Sequence, residues 1–483
     1  MIRVEDTYYM VSTTMHFMPG CEILQSFDLV HWEHVTYVYE TLDHTDAQQL
    51  KSGQNIYGQG MWAASLRYHE GRFYICFVAN DTRKTYLYTS EKIDGPWKKQ
   101  LIEGFYHDGS LLFDEDGRNY IVYGNDEIWI TELNEDLTAP KKDGLHRLLV
   151  SDHKNPELGY EGSHIQKING YYYIFLVHSL RDRWMRTEAC FYSDSLEGEF
   201  TGGDVLCDDR GYCGQGVAQG GIVDTPDGKW YAMLFQDSGA VGRIPILLPV
   251  TWKDHFPFFG QNGHVPEEIE VHSTRPGYIY QPLVGSDDFC NGLLPRWQFN
   301  HDPDPRYYHL DALQGTYTIT TREVCTELTQ AVNTLTQRMS YPSCAAEVTV
   351  DASALKEGDV AGLCALQGCY AAVGITKHHG KYEVLMLDKK EDGILDMTEG
   401  TVVESHQMDF RLEADFCNMK DEARCYYRVN KGDWLPIGTV HKLYFKLDHF
   451  TGCRFGLFCY AAEETGGSAC FRDFKYYDVD EIS

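Results

Sequence analysis

The chain has 483 residues, with 42 Lys and Arg against 72 Asp and Glu, for a formal charge of −30 at pH 7. A surface that acidic repels phosphate backbones and anionic headgroups, so neither nucleic acid nor a membrane surface is an expected partner, and no apolar run approaches the roughly 18–20 residues that span a bilayer. An aromatic fraction of 13%, with 33 Tyr, excludes disorder and points to a β-rich chain, and the length exceeds one core, so two domains are expected.

From the N-terminus, Met1-Ile2-Arg3-Val4-Glu5-Asp6 lacks the basic-then-apolar layout of a secretory signal. The 15 cysteines, an odd number, form no Cys-x-x-Cys pair, and several sit inside apolar runs, as Cys76 does in Tyr74-Ile75-Cys76-Phe77-Val78. They read as small buried hydrophobes of a reducing compartment, so a cytoplasmic location is expected.

A turn followed by an aromatic strand then recurs five times. The copies are Glu5-Asp6-Thr7-Tyr8-Tyr9, Glu70-Gly71-Arg72-Phe73-Tyr74, Asp116-Gly117-Arg118-Asn119-Tyr120, Asn169-Gly170-Tyr171-Tyr172-Tyr173 and Asp227-Gly228-Lys229-Trp230-Tyr231. Each is a hairpin signature. Their last tyrosines are 65, 46, 53 and 58 residues apart, a spacing that suits four-stranded propeller blades better than a generic all-β chain. Inner strands of a propeller converge on its axis, so equivalent positions near their starts meet at one mouth. Twelve residues before each tyrosine stand Trp62, Asp108, Glu161 and Gln219, while the first copy would need a residue before Met1.

These segments carry a resemblance. Residues 1 to about 283 resemble glycoside hydrolase family 43, through Tyr8-Tyr9-Met10-Val11-Ser12-Thr13-Thr14, Met18-Pro19-Gly20, Asp28-Leu29-Val30-His31-Trp32, His107-Asp108-Gly109-Ser110-Leu111-Leu112-Phe113, Glu161-Gly162-Ser163-His164-Ile165, Gln219-Gly220-Gly221 onward to Gly228, and Gly242-Arg243-Ile244-Pro245. The resemblance implies a five-bladed β-propeller. It implies Glu161 as the general acid, Asp108 as the carboxylate that orients the acid and tunes its pKa, Arg243 as a ligand of sugar hydroxyls, and Trp62 as the pocket's aromatic wall. It implies that Met15, His16 and Phe17 lie where relatives carry pocket residues. The family inverts, with a base that activates water opposite the acid. That base, in an Asp-Pro-Asp or Asp-Pro-Ser segment, aligns about three residues upstream of Met1, so weak hydrolysis by this chain is expected. Gln219 stands where many relatives carry a His near the axis, which counts against a calcium site there.

Other readings stand beside these. Asp108-Gly109 could be a turn, but Asp116-Gly117 already supplies the hairpin turn. His107 and His164 read as hydrogen-bonding residues near the channel rather than metal ligands. Asp6, Asp116 and Asp227 recur at turns and read as structural.

After the aromatic and proline-rich stretch from Pro245 to Gly260, and a connecting segment from Pro266 to Pro282, a new pattern begins at Ser286-Asp287-Asp288-Phe289. Short alternating strands with glycine turns predict a β-sandwich. It resembles the concanavalin-like jelly-roll domain of β-xylosidase-like family members. The expected division is 1–283 propeller and 284–483 sandwich. In such relatives a sandwich loop closes the far end of the pocket, and Phe450-Thr451-Gly452 is the match, making Phe450 a candidate substrate contact. No cofactor is required, although Asp288 and Asp473 could hold a structural calcium.

The expected function is an inverting exo-glycosidase for β-xylosyl or α-L-arabinofuranosyl ends of short, imported oligosaccharides. The alternatives are a non-catalytic carbohydrate-binding relative, and a propeller scaffold for protein partners, which the carboxylate and aromatic cluster disfavours. Oligomeric state is left open.

Overall fold

The five turn-and-aromatic segments form the innermost hairpins of five four-stranded antiparallel sheets in the computed structural model, which describes residues 1–398 and 400–478. Each hairpin closes where the turn chemistry places it, through Val4↔Thr7, His69↔Arg72, Phe113↔Asn119, Ile168↔Tyr171 and Asp224↔Trp230. In the two-residue loops Glu70-Gly71 and Asn169-Gly170 both residues have positive φ, the conformation that matches the twist of the flanking strands.

The inner strands are Ile2–Val4, Met61–His69, Ser110–Phe113, Glu161–Ile168 and Ala218–Asp224. Arg67 crosses between them. Its guanidinium donates to the carbonyls of Leu111 and Ile165 and to Ser110 Oγ, tying blades two, three and four together. Separate apolar clusters fill the seams between neighbouring blades. The cluster between blades five and one is the smallest, with Tyr8, Leu29, Val223 and Tyr231 buried. At roughly 1.5–3 kcal/mol for each large apolar side chain buried, it is the weakest seam of the ring. Two polar ties reinforce it. Arg3 pairs with Asp224 across the seam, and the segment after the last propeller strand runs back over blade one, where the Phe27 N–H donates to Tyr280 and the Gln281 N–H to Glu33.

The second domain is a sandwich of a nine-stranded and a seven-stranded antiparallel sheet. Its core is formed from the facing sides of both, among them Val348, Val350, Phe410 and Leu412 from one and Leu363, Val373 and Phe455 from the other. An edge strand of the larger sheet comes from the propeller. Phe17–Met18 pairs with Gln298–Asn300 through Phe17↔Asn300 and Met18↔Phe299. The two domains therefore share a ladder. No helix among the described residues is long and apolar enough to cross a membrane.

Candidate active site

The starts of the inner strands are irregular. Register shifts against the partner strand between Met61 and Ala64, between Glu161 and His164, and between Ala218 and Gly221. A β-bulge kinks a strand and re-aims its side chains, and here three bulges fall at the same level of three blades. Trp62 and Gln219 lie within them, and Glu161 begins the third. In blade three, Asp108 precedes the first ladder residue and holds a φ of +48°. Gly162 is required where it stands. Its φ is +68°, and a Cβ there would lie 2.7 Å from Gln219 Cγ.

Asp108 and Glu161 come together as counting predicts. The Gly162 N–H donates to Asp108 Oδ2 at 3.0 Å, so Asp108 holds the peptide that follows Glu161. Asn125 donates its amide to Glu161 Oε2 at 2.8 Å. Asp108 is 6% exposed. Burial pushes its carboxyl up to about 6; the nearby Glu161 carboxylate adds to the rise, and His107, the Gly162 N–H and Arg243 oppose it. His107 stands between the two carboxylates. Burial pulls its imidazole down, but Glu161 and Asp108 outweigh burial and leave it raised. Asp108 is the more deeply buried of the two carboxyls.

Arg243 closes one side. It begins the strand Arg243–Lys253, opposite Asp237 at the end of Trp230–Asp237. Its Nε donates to Asp237 Oδ1 at 3.3 Å, and its guanidinium lies 4.4 Å from the Phe235 ring and 4.2 Å from the Phe450 ring. Burial lowers its pKa to about 10 against the opposing pull of Glu161 and Asp108, so it stays charged. Arg186 pairs with the other oxygen of Asp237.

Phe450 belongs to the sandwich. It is 4% exposed and meets Trp62 edge to face at 5.5 Å. The loop that carries it docks on the hairpin tip ahead of Arg243. The Cys453 N–H donates to the Ala240 carbonyl, and the Ala240 N–H donates to Asp421. Gly452 and Gly242 meet back to back, where a Cβ on Gly452 would sit 2.0 Å from the Val241 carbonyl oxygen. One docking contact thus sets both the arginine and the ring above it.

Met15, His16 and Phe17, expected at the pocket, run from the neighbours of Trp62 and Phe450 into the joint between the domains. All three are fully buried. Met15 pairs its backbone with Met61, and its sulfur lies 3.8 Å from Thr451 Oγ1. His16 packs among Phe17, Tyr57, His301 and His449 at the joint between the domains. Phe17 lies under the Arg454 guanidinium at 3.7 Å. The shared ladder accounts for the place of Phe17, because its pairing with Asn300 turns the segment into the sandwich. Gln219 is half-buried, packs on Gly162, and donates its backbone N–H to Glu188, a fully buried carboxyl that burial raises well above its usual range.

Sequence reasoning missed Asn125, Arg186 and Asp237. Asn125 and Asp237 end the second strands of their blades, five and six residues after the repeat tyrosines Tyr120 and Tyr231. A forward count from those tyrosines would have found them. Arg186 opens the third strand of blade four, as Arg243 opens the third strand of blade five, so it is the repeat counterpart of a residue the sequence already singled out. His107, Asp108 and Glu161 are also the described residues whose ligand atoms gather closely enough for a metal ion, all within 4.8 Å of one another. Asp288 and Asp473, named for a sandwich calcium, are both exposed, and Asp288 accepts the Cys290 N–H.

Comparison with known proteins adds family context. Residues 1–257 match the family model for glycosyl hydrolases family 43, and residues 286–477 match that for the beta xylosidase C-terminal concanavalin A-like domain. A beta-xylosidase of Formosa agariphila is 26% identical over 99% of this chain and 86% of its own length. Among solved structures, a bifunctional GH43-CE protein of Bacteroides eggerthii superposes with a TM-score of 0.91 at 42% identity, over 100% of this chain and 62% of that one. The chain therefore spans somewhat under two thirds of that relative. A GH43 glycoside hydrolase engineered to display both endo-xylanase and exo-arabinofuranosidase activity superposes with a TM-score of 0.86 at 27% identity, over 99% of this chain and 97% of that one.

Proposed function

The chain belongs to glycosyl hydrolases family 43, and from that premise we propose that it is an inverting exo-glycosidase that removes terminal β-xylosyl or α-L-arabinofuranosyl residues from short oligosaccharides. Glu161 protonates the departing glycosidic oxygen. Asp108 holds the Glu161–Gly162 peptide in place through the Gly162 N–H. Arg243 spends its Nε on Asp237 and turns its terminal amino groups to sugar hydroxyls. Trp62 offers an aromatic face to the ring. The observation that carries the exo reading is Phe450, which seats a residue of the second domain against both Trp62 and Arg243 and so ends the pocket after a sugar or two.

Inversion also needs a carboxylate base on the face opposite the acid, and the resemblance aligns it about three residues ahead of Met1. Tested as residues 1–483, the protein is expected to bind xylose or arabinose and to hydrolyse the 4-nitrophenyl β-xyloside and α-L-arabinofuranoside slowly. Placing Asp-Pro-Asp ahead of Met1 is expected to raise kcat by about 10²–10⁴-fold, the usual worth of general-base assistance. Glu161→Gln should remove that gain, and the first product seen by NMR should carry the inverted anomeric configuration. Sugar binding by calorimetry without turnover in either form would favour a carbohydrate-binding relative instead.

A further inference from the structure

The group around Glu161 is spaced for an ion more than for internal hydrogen bonds. His107 Nε2 is 3.6 Å from Glu161 Oε2 and 3.7 Å from Asp108 Oδ2. Both separations exceed hydrogen-bonding distance, and this buried nitrogen has no hydrogen-bond partner among the described residues. Nitrogen and oxygen ligands sit about 2.0–2.2 Å from zinc. Two such bonds whose outer atoms are 3.6–3.7 Å apart open an angle of about 110–135° at the ion, and the two carboxylate oxygens, within 4.8 Å of each other, must stand no more than about 4.4 Å apart to share it. The carboxylate oxygens keep capacity for it. Glu161 Oε2 accepts from Asn125 and Asp108 Oδ2 from Gly162, and a carboxylate oxygen has a second lone pair.

We propose that His107, Asp108 and Glu161 form a site for one divalent transition-metal ion of the zinc type, with water completing its coordination, and that the ion acts as a reversible inhibitor. One imidazole with two carboxylates suits zinc, cobalt or nickel. Calcium and magnesium prefer shells of oxygen alone. A bound ion occupies the Glu161 oxygen and stands where the glycosidic oxygen would approach. The inhibition rests on the role given to Glu161 above; the binding does not.

Cobalt(II) titration of the full chain reads the site directly, because the d–d bands of Co²⁺ report coordination number. The exposed thiols of Cys207, Cys213, Cys290 and Cys417 are alkylated first. The expected result is one Co²⁺ per chain with the intense visible bands of a four- or five-coordinate ion. His107→Phe and Glu161→Gln should each weaken binding at least about tenfold, and thermal melts should show both variants folded. Zn²⁺ should then inhibit turnover in competition with substrate, and a chelator should restore it. Absence of a one-to-one complex, or equal Co²⁺ affinity in the protein and both variants, overturns the site. Co²⁺ binding in a protein that turns over no sugar with or without the Asp-Pro-Asp leader leaves the site standing and removes the glycosidase reading.

Discussion

His107 at the pocket and His16 and His301 at the domain joint are all largely enclosed, yet their surroundings act on them in opposite directions. His107 has two carboxylates within 4 Å and is raised. His16 and His301 are fully buried, and their near neighbours are other rings: Phe17, Tyr57 and His449. Burial, reinforced by the neighbouring imidazoles, holds His16 well below the usual histidine range and His301 at about 3. Charge on the facing elements does not relieve them: Arg454, which lies over Phe17, pushes His16 further down. At the pocket the imidazole sits in the field of two carboxylates that favour its charged form. At the joint it is a flat filler that must stay neutral. The two regions are linked in sequence, because His449 packs at the joint and the next residue, Phe450, covers the pocket.

The sharpest way to test this contrast is Asp108→Asn, which has the largest expected effect. Activity should fall by about 10²-fold or more, since a neutral amide no longer carries the charge that tunes the acid. Stability should move the other way. The Asp108 carboxyl rises from 3.8 to about 6 on folding, so the folded state holds the proton more tightly. Its contribution is fully present below pH 3.8 and is lost as pH climbs through 6. Between pH 4.5 and 7.5 that loss is about 2 kcal/mol. Urea unfolding should therefore show the variant gaining on the parent by about that amount as pH is raised. A constant difference across pH would mean that folding does not raise the Asp108 carboxyl.

The same contrast explains how much was legible in the sequence. The blades were readable because a hairpin is local, and turn residues such as Glu70-Gly71 and Asn169-Gly170 specify it within a few positions. Once the repeat was in phase, counting back brought Trp62, Asp108, Glu161 and Gln219 to one mouth, since propeller geometry converts equal depth along a strand into proximity. Asn125 and Asp237 obey the same geometry from the other strand of the hairpin, in a direction that was not counted. Phe17–Met18 was beyond reach for a different reason. A two-residue strand has no period, and its partner, Gln298–Asn300, lies in the other domain. The histidine cluster follows from that pairing and was hidden with it. Phe450 came only through family resemblance, because nothing in Phe450-Thr451-Gly452 itself points to a pocket.

Phe450→Ala breaks the connection between the two regions at the pocket end and has an intermediate expected effect. It removes the edge contact with Trp62 and the ring under Arg243, a cation–π pair worth about 0.5–2 kcal/mol. That predicts roughly a tenfold fall in kcat/KM on small xylosides. The fall should appear mainly in KM, since Phe450 touches no group assigned to proton transfer, and longer oligosaccharides should become relatively better substrates as the closed end opens. A fall confined to kcat would place Phe450 in the chemistry and not at the end of the pocket.

His16→Phe acts at the joint and should have the smallest effect at neutral pH. Neither ring nitrogen of His16 has a hydrogen-bond partner among the described residues, so an apolar ring of similar shape gives up no bond and removes two unsatisfied polar atoms. At pH 7 stability should change by less than about 1 kcal/mol or rise slightly. The informative result comes on acidification. A histidine whose folded pKa is depressed contributes its full stability above 6.5, and loses it as pH falls toward the folded value. For His301, at about 3 in the folded chain, lowering pH from 7 to 5 costs about 2 kcal/mol, and His16 adds a cost of the same sign. Urea midpoints at pH 7 and pH 5 should therefore lie closer together in His16→Phe than in the parent. If the two proteins lose stability equally on acidification, the joint does not depend on a neutral His16, and the acid sensitivity of the chain comes from elsewhere.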